Sequence, residues 1–251
     1  MLAKLNFKTI GNGENIVMLH GFAIHSGVWQ NIADQLSQSY RVTLIDLPNK
    51  QAFSLEDITT QILAAAPSKT IWMGWSMGGL IAMWIAIHYP ETAKKIILVN
   101  SSPCFMKKPN WPGIKPKTLA AFKESLKKDL HHTILRFLNL QLNADSHERR
   151  NHLRHLKTIL LAKNLPTIEA LISELDLLYT TDLRARLLDI KCPALFILGN
   201  ADVLVPAAIE KFLRIYIPKA QIKSISQAAH VPFISHAQVF LEIVRNFLHA
   251  K

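Results

Sequence analysis

Thr70-Ile71-Trp72-Met73-Gly74-Trp75-Ser76-Met77-Gly78-Gly79-Leu80-Ile81-Ala82-Met83 is the stretch that decides the fold. Its first residues are β-branched or aromatic and read as a buried strand, while Met77 to Tyr89 reads as a helix. Between them lies Gly74-Trp75-Ser76-Met77-Gly78, of the form G-x-S-x-G. Such a turn is so tight that the serine adopts a strained backbone and its neighbours must lack bulk. The serine hydroxyl is then lifted clear of the sheet edge. The helix N-terminus, with free N–H groups and partial positive charge, is aimed at the place where an oxyanion would form.

Working outward, short apolar runs alternate with helical patterns, as expected of a mostly parallel sheet covered on both faces. Expected strands are Ile16 to His20, Arg41 to Asp46, Thr70 to Gly74, Lys95 to Asn100, Ala194 to Gly199 and Ile222 to Ser226. Expected helices run near Leu55 to Ala66, Met77 to Tyr89, Pro206 to Tyr216 and Gln238 to His249. The rhythm breaks between Pro103 and about Asp189. There Leu119, Phe122, Leu126 and Leu130 recur at helical steps and form one apolar stripe. The expected organisation is a core of residues 1–102 and 190–251 interrupted by a helical lid of residues 103–189. Ser101-Ser102-Pro103 and Lys191-Cys192-Pro193 would be its hinges.

Composition narrows the class. The 251 residues fit one catalytic domain with a modest insertion. The longest nearly apolar stretch, Met77 to Ile87, is too short to span a bilayer, and no apolar block of signal-peptide type follows Lys4 and Lys8. A cytoplasmic protein is therefore expected. The two cysteines, Cys104 and Cys192, lie far apart without a partner motif, which argues against a disulfide framework or zinc site. Of the formal charge of +11, Lys107 to Lys157 carries +8, from twelve Lys or Arg against four Asp or Glu. Such a patch attracts an acidic partner, although a merely solubilising helical face has the same composition. It contains no recognisable nucleic-acid-binding motif.

The serine needs a base and an acid. In the α/β-hydrolase fold they follow the nucleophile in the order Asp or Glu, then His, on loops after late strands. His230, in Gln227-Ala228-Ala229-His230 just after the strand ending at Ser226, fits the base, with His236 as runner-up. Asp202, after Leu198-Gly199-Asn200-Ala201, is the best acid, though Asp is also a common turn-former. Backbone N–H groups of Phe22, in His20-Gly21-Phe22, and of Met77 are the expected oxyanion donors. His20 itself reads as a structural hydrogen-bonding residue. No metal or organic cofactor is required by this chemistry.

Beyond the elbow, Ser101-Ser102-Pro103-Cys104-Phe105, Trp111-Pro112-Gly113-Ile114-Lys115-Pro116 and Ala228-Ala229-His230-Val231-Pro232-Phe233-Ile234-Ser235-His236 resemble the pimeloyl-[acyl-carrier protein] methyl ester esterases of biotin synthesis over nearly the whole length. The resemblance implies a carboxylesterase that hydrolyses the methyl ester of a pimeloyl chain carried on acyl carrier protein, and a monomer is expected. It also implies substrate contacts at Phe22, Met77 and the stretch Phe137, Leu138, Asn139, Leu140 and Gln141. Carrier docking is implied at His132, Arg136, Arg150 and Arg154, where His132 departs from the family's Arg. A second departure follows Asp46-Leu47-Pro48, where Asn49-Lys50-Gln51-Ala52 replaces the usual glycine-rich run and the loop looks shortened. The alternatives are a broad carboxylesterase or thioesterase on small acyl esters, and a hydrolase-fold binding protein with a vestigial triad.

Overall fold

The computed structural model describes residues 5–143 and 147–250. In chain order the elements are β1 (Asn6–Ile10), β2 (Glu14–Leu19), α1 (Gln30–Leu36), β3 (Tyr40–Asp46), α2 (Leu55–Ala65), β4 (Thr70–Trp75), α3 (Met77–His88) and β5 (Ala93–Val99). Four helices follow: α4 (Pro116–Lys128), α5 (Leu130–Leu140), α6 (Arg149–Leu161) and α7 (Ile168–Thr180). The chain closes with β6 (Ala194–Gly199), α8 (Glu210–Tyr216), β7 (Gln221–Ile225), the single turn α9 (Pro232–Ser235) and α10 (Ala237–His249).

The strands form one seven-stranded sheet in the order β1-β3-β2-β4-β5-β6-β7. Only the pairing of β1 with β3 is antiparallel. β4 and β6 are buried along their whole length, which is why both read as unbroken apolar runs. The path from β2 through α1 to β3 moves toward one edge, whereas those through α2, α3 and α8 move toward the other. Right-handed crossovers in opposite directions put their helices on opposite faces, so α1 covers one face and α2, α3 and α8 the other. α10 returns to the α1 face, where Trp29 packs on Phe233 and Phe240 at ring distances of 4.3 and 6.4 Å. α3 is buried on nearly every side, between the sheet and α2.

The reversal of direction falls between β2 and β4. The crevice outside the carboxyl ends of these strands is where an open α/β sheet binds ligands. Those ends carry His20-Gly21-Phe22 and Trp75-Ser76.

All six expected strands are present. The sequence reading missed β1, none of whose residues is fully buried, and the seven-residue α1. The helix expected over Pro206 to Tyr216 opens as a 3-10 turn at Ala207–Ile209 before α8 begins. The stripe Leu119, Phe122, Leu126 and Leu130 spans two helices, because Asp129 ends α4 and its side chain caps α5 by accepting from the His132 N–H at 2.9 Å. The inserted helices α4 to α7 pack as a group over the strand ends. At their base the Leu183 N–H donates to the Pro103 carbonyl at 2.8 Å, tying entry to exit.

Candidate active site

Ser76 occupies the left-handed side of backbone space, with φ 54° and ψ −118°. That conformation costs a non-glycine residue about 1–3 kcal/mol and persists only when its surroundings enforce it. Here the Ser76 N–H donates to the Val99 carbonyl at 2.9 Å, and the Ser101 hydroxyl donates to the Ser76 carbonyl at 2.7 Å. The glycines are required by space: a Cβ on Gly74 would lie 2.2 Å from the Gly78 carbonyl oxygen, and one on Gly78 2.3 Å from that of Leu19. The second close approach locks the elbow against the end of β2. Met77 opens α3, whose leading N–H groups have no acceptor within the helix.

The end of β2 supplies the facing wall. A Cβ on Gly21 would lie 3.2 Å from Ser76 Cβ, so the His20-Gly21-Phe22 backbone runs directly against the elbow. His20 is buried and uses both ring nitrogens. Its Nδ1 lies 2.8 Å from the Gly21 carbonyl oxygen, and its Nε2 accepts from the Leu47 N–H at 2.9 Å. Acceptance at Nε2 places the proton on Nδ1, which donates to Gly21. Desolvation, outweighing the Gly21 bond, lowers its pKa to about 4, so the ring is neutral at physiological pH. The expected structural role of His20 is thus what its bonds describe. Because the peptide is planar and trans, holding the Gly21 carbonyl from one side fixes the Phe22 N–H on the other.

Asp202 and His230 meet at the far side. Their side chains are almost fully buried, with His230 Nδ1 2.7 Å from Asp202 Oδ2. Asp202 Oδ1 accepts from the N–H groups of Leu204 and Val205 at 2.8 and 3.0 Å. Asn100 Nδ2 donates to Asp202 Oδ2 and, at 3.0 Å, to the Ala229 carbonyl. The carboxylate is therefore held by four donors, the Leu204 and Val205 N–H groups, Asn100 and His230. The His230 backbone is tied on both sides: its carbonyl accepts from Trp75 Nε1 at 2.7 Å, and its N–H donates to the Gln141 carbonyl at 3.0 Å. Trp75 immediately precedes Ser76, and the rings of Trp75 and His230 are 5.5 Å apart. Neither Ser76 Oγ nor His230 Nε2 has a hydrogen-bond partner among the described residues. His236 bonds Ser235 at the head of α10, on the other side of α9 from His230.

The other sequence-derived positions divide. Phe22 forms a three-ring cluster with Phe122 and Phe137, at centroid distances of 5.9, 5.4 and 5.5 Å. Met77, Leu138 and Gln141 are buried, Asn139 is half-buried and Leu140 is 53% exposed at the end of α5. The Gln141 side chain is fully buried, and neither of its polar atoms has a partner among the described residues. His132, Arg136, Arg150 and Arg154 are exposed on α5 and α6, which pack together, and none joins an ion pair among the described residues. Sequence reasoning missed Asn100, Ser101 and Trp75. The signal available was the polar run Asn100-Ser101-Ser102 directly after an apolar strand, at a strand end of the kind that carries sites.

Beside the site, by the loop after Pro48, lies a cavity of about 370 Å³. Ala23, Ile24, His25, Asp46, Leu160 and Lys163 contribute to its wall, and Ser76 and His230 do not. Asp46 pairs with Lys163 and accepts from the Ser26 N–H at 2.9 Å. Its desolvation is outweighed by these bonds, which bring its pKa down to about 2. Both cysteines are free thiols, no cluster of metal-ligating side chains occurs among the described residues, and none of their helices is long and apolar enough to cross a membrane.

A serine on a strained strand-to-helix turn at the switch point of a parallel sheet, with a carboxylate-bound histidine on the loop after its last strand, is the arrangement of the α/β hydrolases. The family model described as alpha/beta hydrolase fold matches residues 14–237. Solved structures agree in fold, among them an esterase from Exiguobacterium antarcticum (TM-score 0.86, 19% identity, 98% of this chain and 96% of that one). A bromoperoxidase from Bacillus anthracis matches equally well (TM-score 0.86, 20% identity, 98% and 95%). Within that class, pimeloyl-[acyl-carrier protein] methyl ester esterases are similar at full length. That of Yersinia pseudotuberculosis serotype IB is 39% identical over 98% of each chain, and that of Pectobacterium carotovorum 40% identical over 99% of this chain and 100% of its own. The chain belongs to this esterase family and is a serine-type carboxylesterase.

Proposed function

We propose that this enzyme hydrolyses the methyl ester at the distal end of a pimeloyl chain carried on acyl carrier protein, releasing methanol and the free carboxylate. The observation that carries the mechanism is the buried 2.7 Å contact of Asp202 with His230, on a loop bonded to the residue before Ser76. Ser76 Oγ attacks the ester carbonyl while His230 Nε2 takes its proton, and Asp202 holds the imidazole in the productive tautomer and stabilises its cationic form. Negative charge on the carbonyl oxygen is met by the N–H groups of Phe22 and Met77. His230 then protonates the departing methoxide, leaving an acyl-enzyme on Ser76. Water, deprotonated by His230, releases the acid and restores the serine.

The specific substrate is supported by the relatives' names and by the exposed cations. Carrier proteins are acidic, and Arg136, Arg150 and Arg154, beside His132, present a positive surface on α5 and α6. Residues 103–189 act as the lid of this site, with Phe22, Met77 and Phe137 through Gln141 contacting the acyl chain. The enzyme works as a cytoplasmic monomer. The test is a side-by-side rate comparison of methyl pimeloyl on carrier protein and free dimethyl pimelate. A kcat/KM clearly higher for the carrier-bound ester is expected. Faster cleavage of the free diester, or of short soluble esters, would replace this reading with that of a broad carboxylesterase.

A further inference from the structure

Glu174 lies in α7, among the inserted helices, and is 2% exposed. Residues 171, 175 and 178 on the same stripe are buried leucines, so this carboxyl occupies a core position. Its Oε2 accepts the backbone N–H of Ala23 at 3.1 Å, a contact across 151 residues of chain. Oε1 has no hydrogen-bond partner among the described residues. Ala23 is itself buried and stands at φ 61°, a left-handed conformation unfavourable for alanine. Something must hold it there.

Ala23 follows Phe22, whose N–H is the oxyanion donor assigned above. Two successive peptide planes flank the Phe22 Cα. The first, Gly21–Phe22, is fixed by His20 through the Gly21 carbonyl. The second, Phe22–Ala23, is fixed by Glu174 through the Ala23 N–H. With both planes held and the Phe22 ring clamped by Phe122 and Phe137, the donor has little freedom to rotate. We propose that Glu174 is a positioning residue, through which the helical insertion sets the geometry of the oxyanion hole. The inference rests on the oxyanion assignment made under Proposed function.

The carboxyl suits the task chemically. Burial raises its pKa to about 8, more than the Ala23 bond lowers it, so at neutral pH it is an uncharged acceptor. A neutral acceptor holds the turn without placing negative charge beside a developing oxyanion. Glutamine offers the same carbonyl acceptor, whereas alanine offers none and methionine only a weak thioether sulfur.

The experiment measures kcat and KM for p-nitrophenyl acetate, and inhibition by a trifluoromethyl ketone whose hemiketal oxygen occupies the oxyanion site, in Glu174→Ala, Glu174→Gln and Ser76→Ala. The expected result for Glu174→Ala is a kcat at least about tenfold lower. KM should stay within about threefold, and ketone affinity should fall in parallel with kcat. Glu174→Gln should keep kcat within about threefold of the parent. If Glu174→Ala does not fold, Glu174→Met, similar in length and apolar, takes its place. The proposal is overturned if the acceptor-free variant keeps parental kcat, if Gln loses as much as Ala, or if only KM moves. Turnover undiminished in Ser76→Ala would instead refute the nucleophile assignment, a separate failure.

Discussion

Replacing Glu174 with glutamine should stabilise the enzyme, by an amount that depends on pH in a defined way. In the unfolded chain the carboxyl ionises near 4.5, and in the fold near 8. Between these values the native state holds a proton that the unfolded state has released, so unfolding sheds protons and stability falls as pH rises. Below pH 4.5 the group costs nothing. At pH 7 it costs about 3 kcal/mol, from roughly 1.4 kcal/mol per pH unit over two and a half units, and above pH 9 the loss levels near about 5 kcal/mol. The glutamine side chain is neutral throughout and still accepts from Ala23, so the difference between the two proteins isolates this one ionisation. Urea unfolding followed by tryptophan fluorescence at pH 4.5, 7 and 9 should show the gap opening with pH. At pH 7 the melting temperature should rise by about 6–12 °C, at roughly 2–4 °C per kcal/mol for a chain of this size. A gap that stays flat from pH 4.5 to 9 would refute the reasoning, because it would mean the carboxyl is as well solvated folded as unfolded.

Asn100→Ala should lower kcat about ten- to a hundredfold with little change in KM, because it removes a bond of about 1.5–3 kcal/mol from the Asp202 carboxylate and frees the Ala229 carbonyl; steady-state kinetics on a small ester checks it. Replacing Arg136, Arg150 and Arg154 together with glutamine should slow reaction with carrier-bound ester about tenfold or more at low salt, converge on the parent at high salt, and leave a small ester untouched. Equal losses on both substrates would contradict docking. Gln141→Leu removes two buried polar atoms without partners, and should raise the unfolding free energy by about 1–3 kcal/mol while slowing turnover of the carrier-bound ester, measured by thermal melts and kinetics on one preparation.

How far the sequence alone reached follows from what each residue is buried against. Strands in a sheet covered on both faces are apolar wherever they are buried, so β4 and β6 stand out as continuous runs and β2, β3 and β5 as runs that start with polar residues at their exposed ends. β1 pairs only at an edge and buries no side chain fully, so no hydrophobic pattern marked it. Ser76, Asp202 and His230 could be named from the sequence because turn chemistry and chain order limit where such groups can stand. Asn100 and Glu174 escaped for the opposite reason. An asparagine after a strand and a glutamate in an amphipathic helix are ordinary by composition, and only contacts 102 and 151 residues away make them part of the site. For Glu174 a trace existed, since its spacing from Leu171, Leu175 and Leu178 puts an acid on the buried stripe.

The contacts of α5, α6 and α7 with the core make the insertion more than a cover. The carbonyl of Gln141, at the end of α5, accepts from the His230 backbone, and α7 reaches Ala23 through Glu174 and the Phe53 backbone through Ser173. The end of α6 and the segment after it bond His25, Asp46 and Asn49. At about 1 kcal/mol net for each bond, and more for the buried ones, lifting all of these helices together would cost roughly 6 kcal/mol or more and leave fewer than about one molecule in ten thousand open. That motion would also release the histidine loop and the oxyanion turn at once. On the proposed lid role, an acyl chain would enter by a smaller displacement, one that leaves the Gln141 and Glu174 bonds intact. Of the inserted helices, α4 is the one without a hydrogen bond to the sheet or its loops among the described residues. Its Phe122 rests on the Phe22 ring by apolar contact, and its polar ties run to its neighbours: Lys123 pairs with Asp176 of α7, and the Ser125 carbonyl accepts from the Thr133 hydroxyl of α5 at 3.0 Å. The helices bonded to the histidine loop and the oxyanion turn are thus α5 and α7, whereas α4 meets the Phe22 ring through an aromatic side chain and is held in place by α5 and α7.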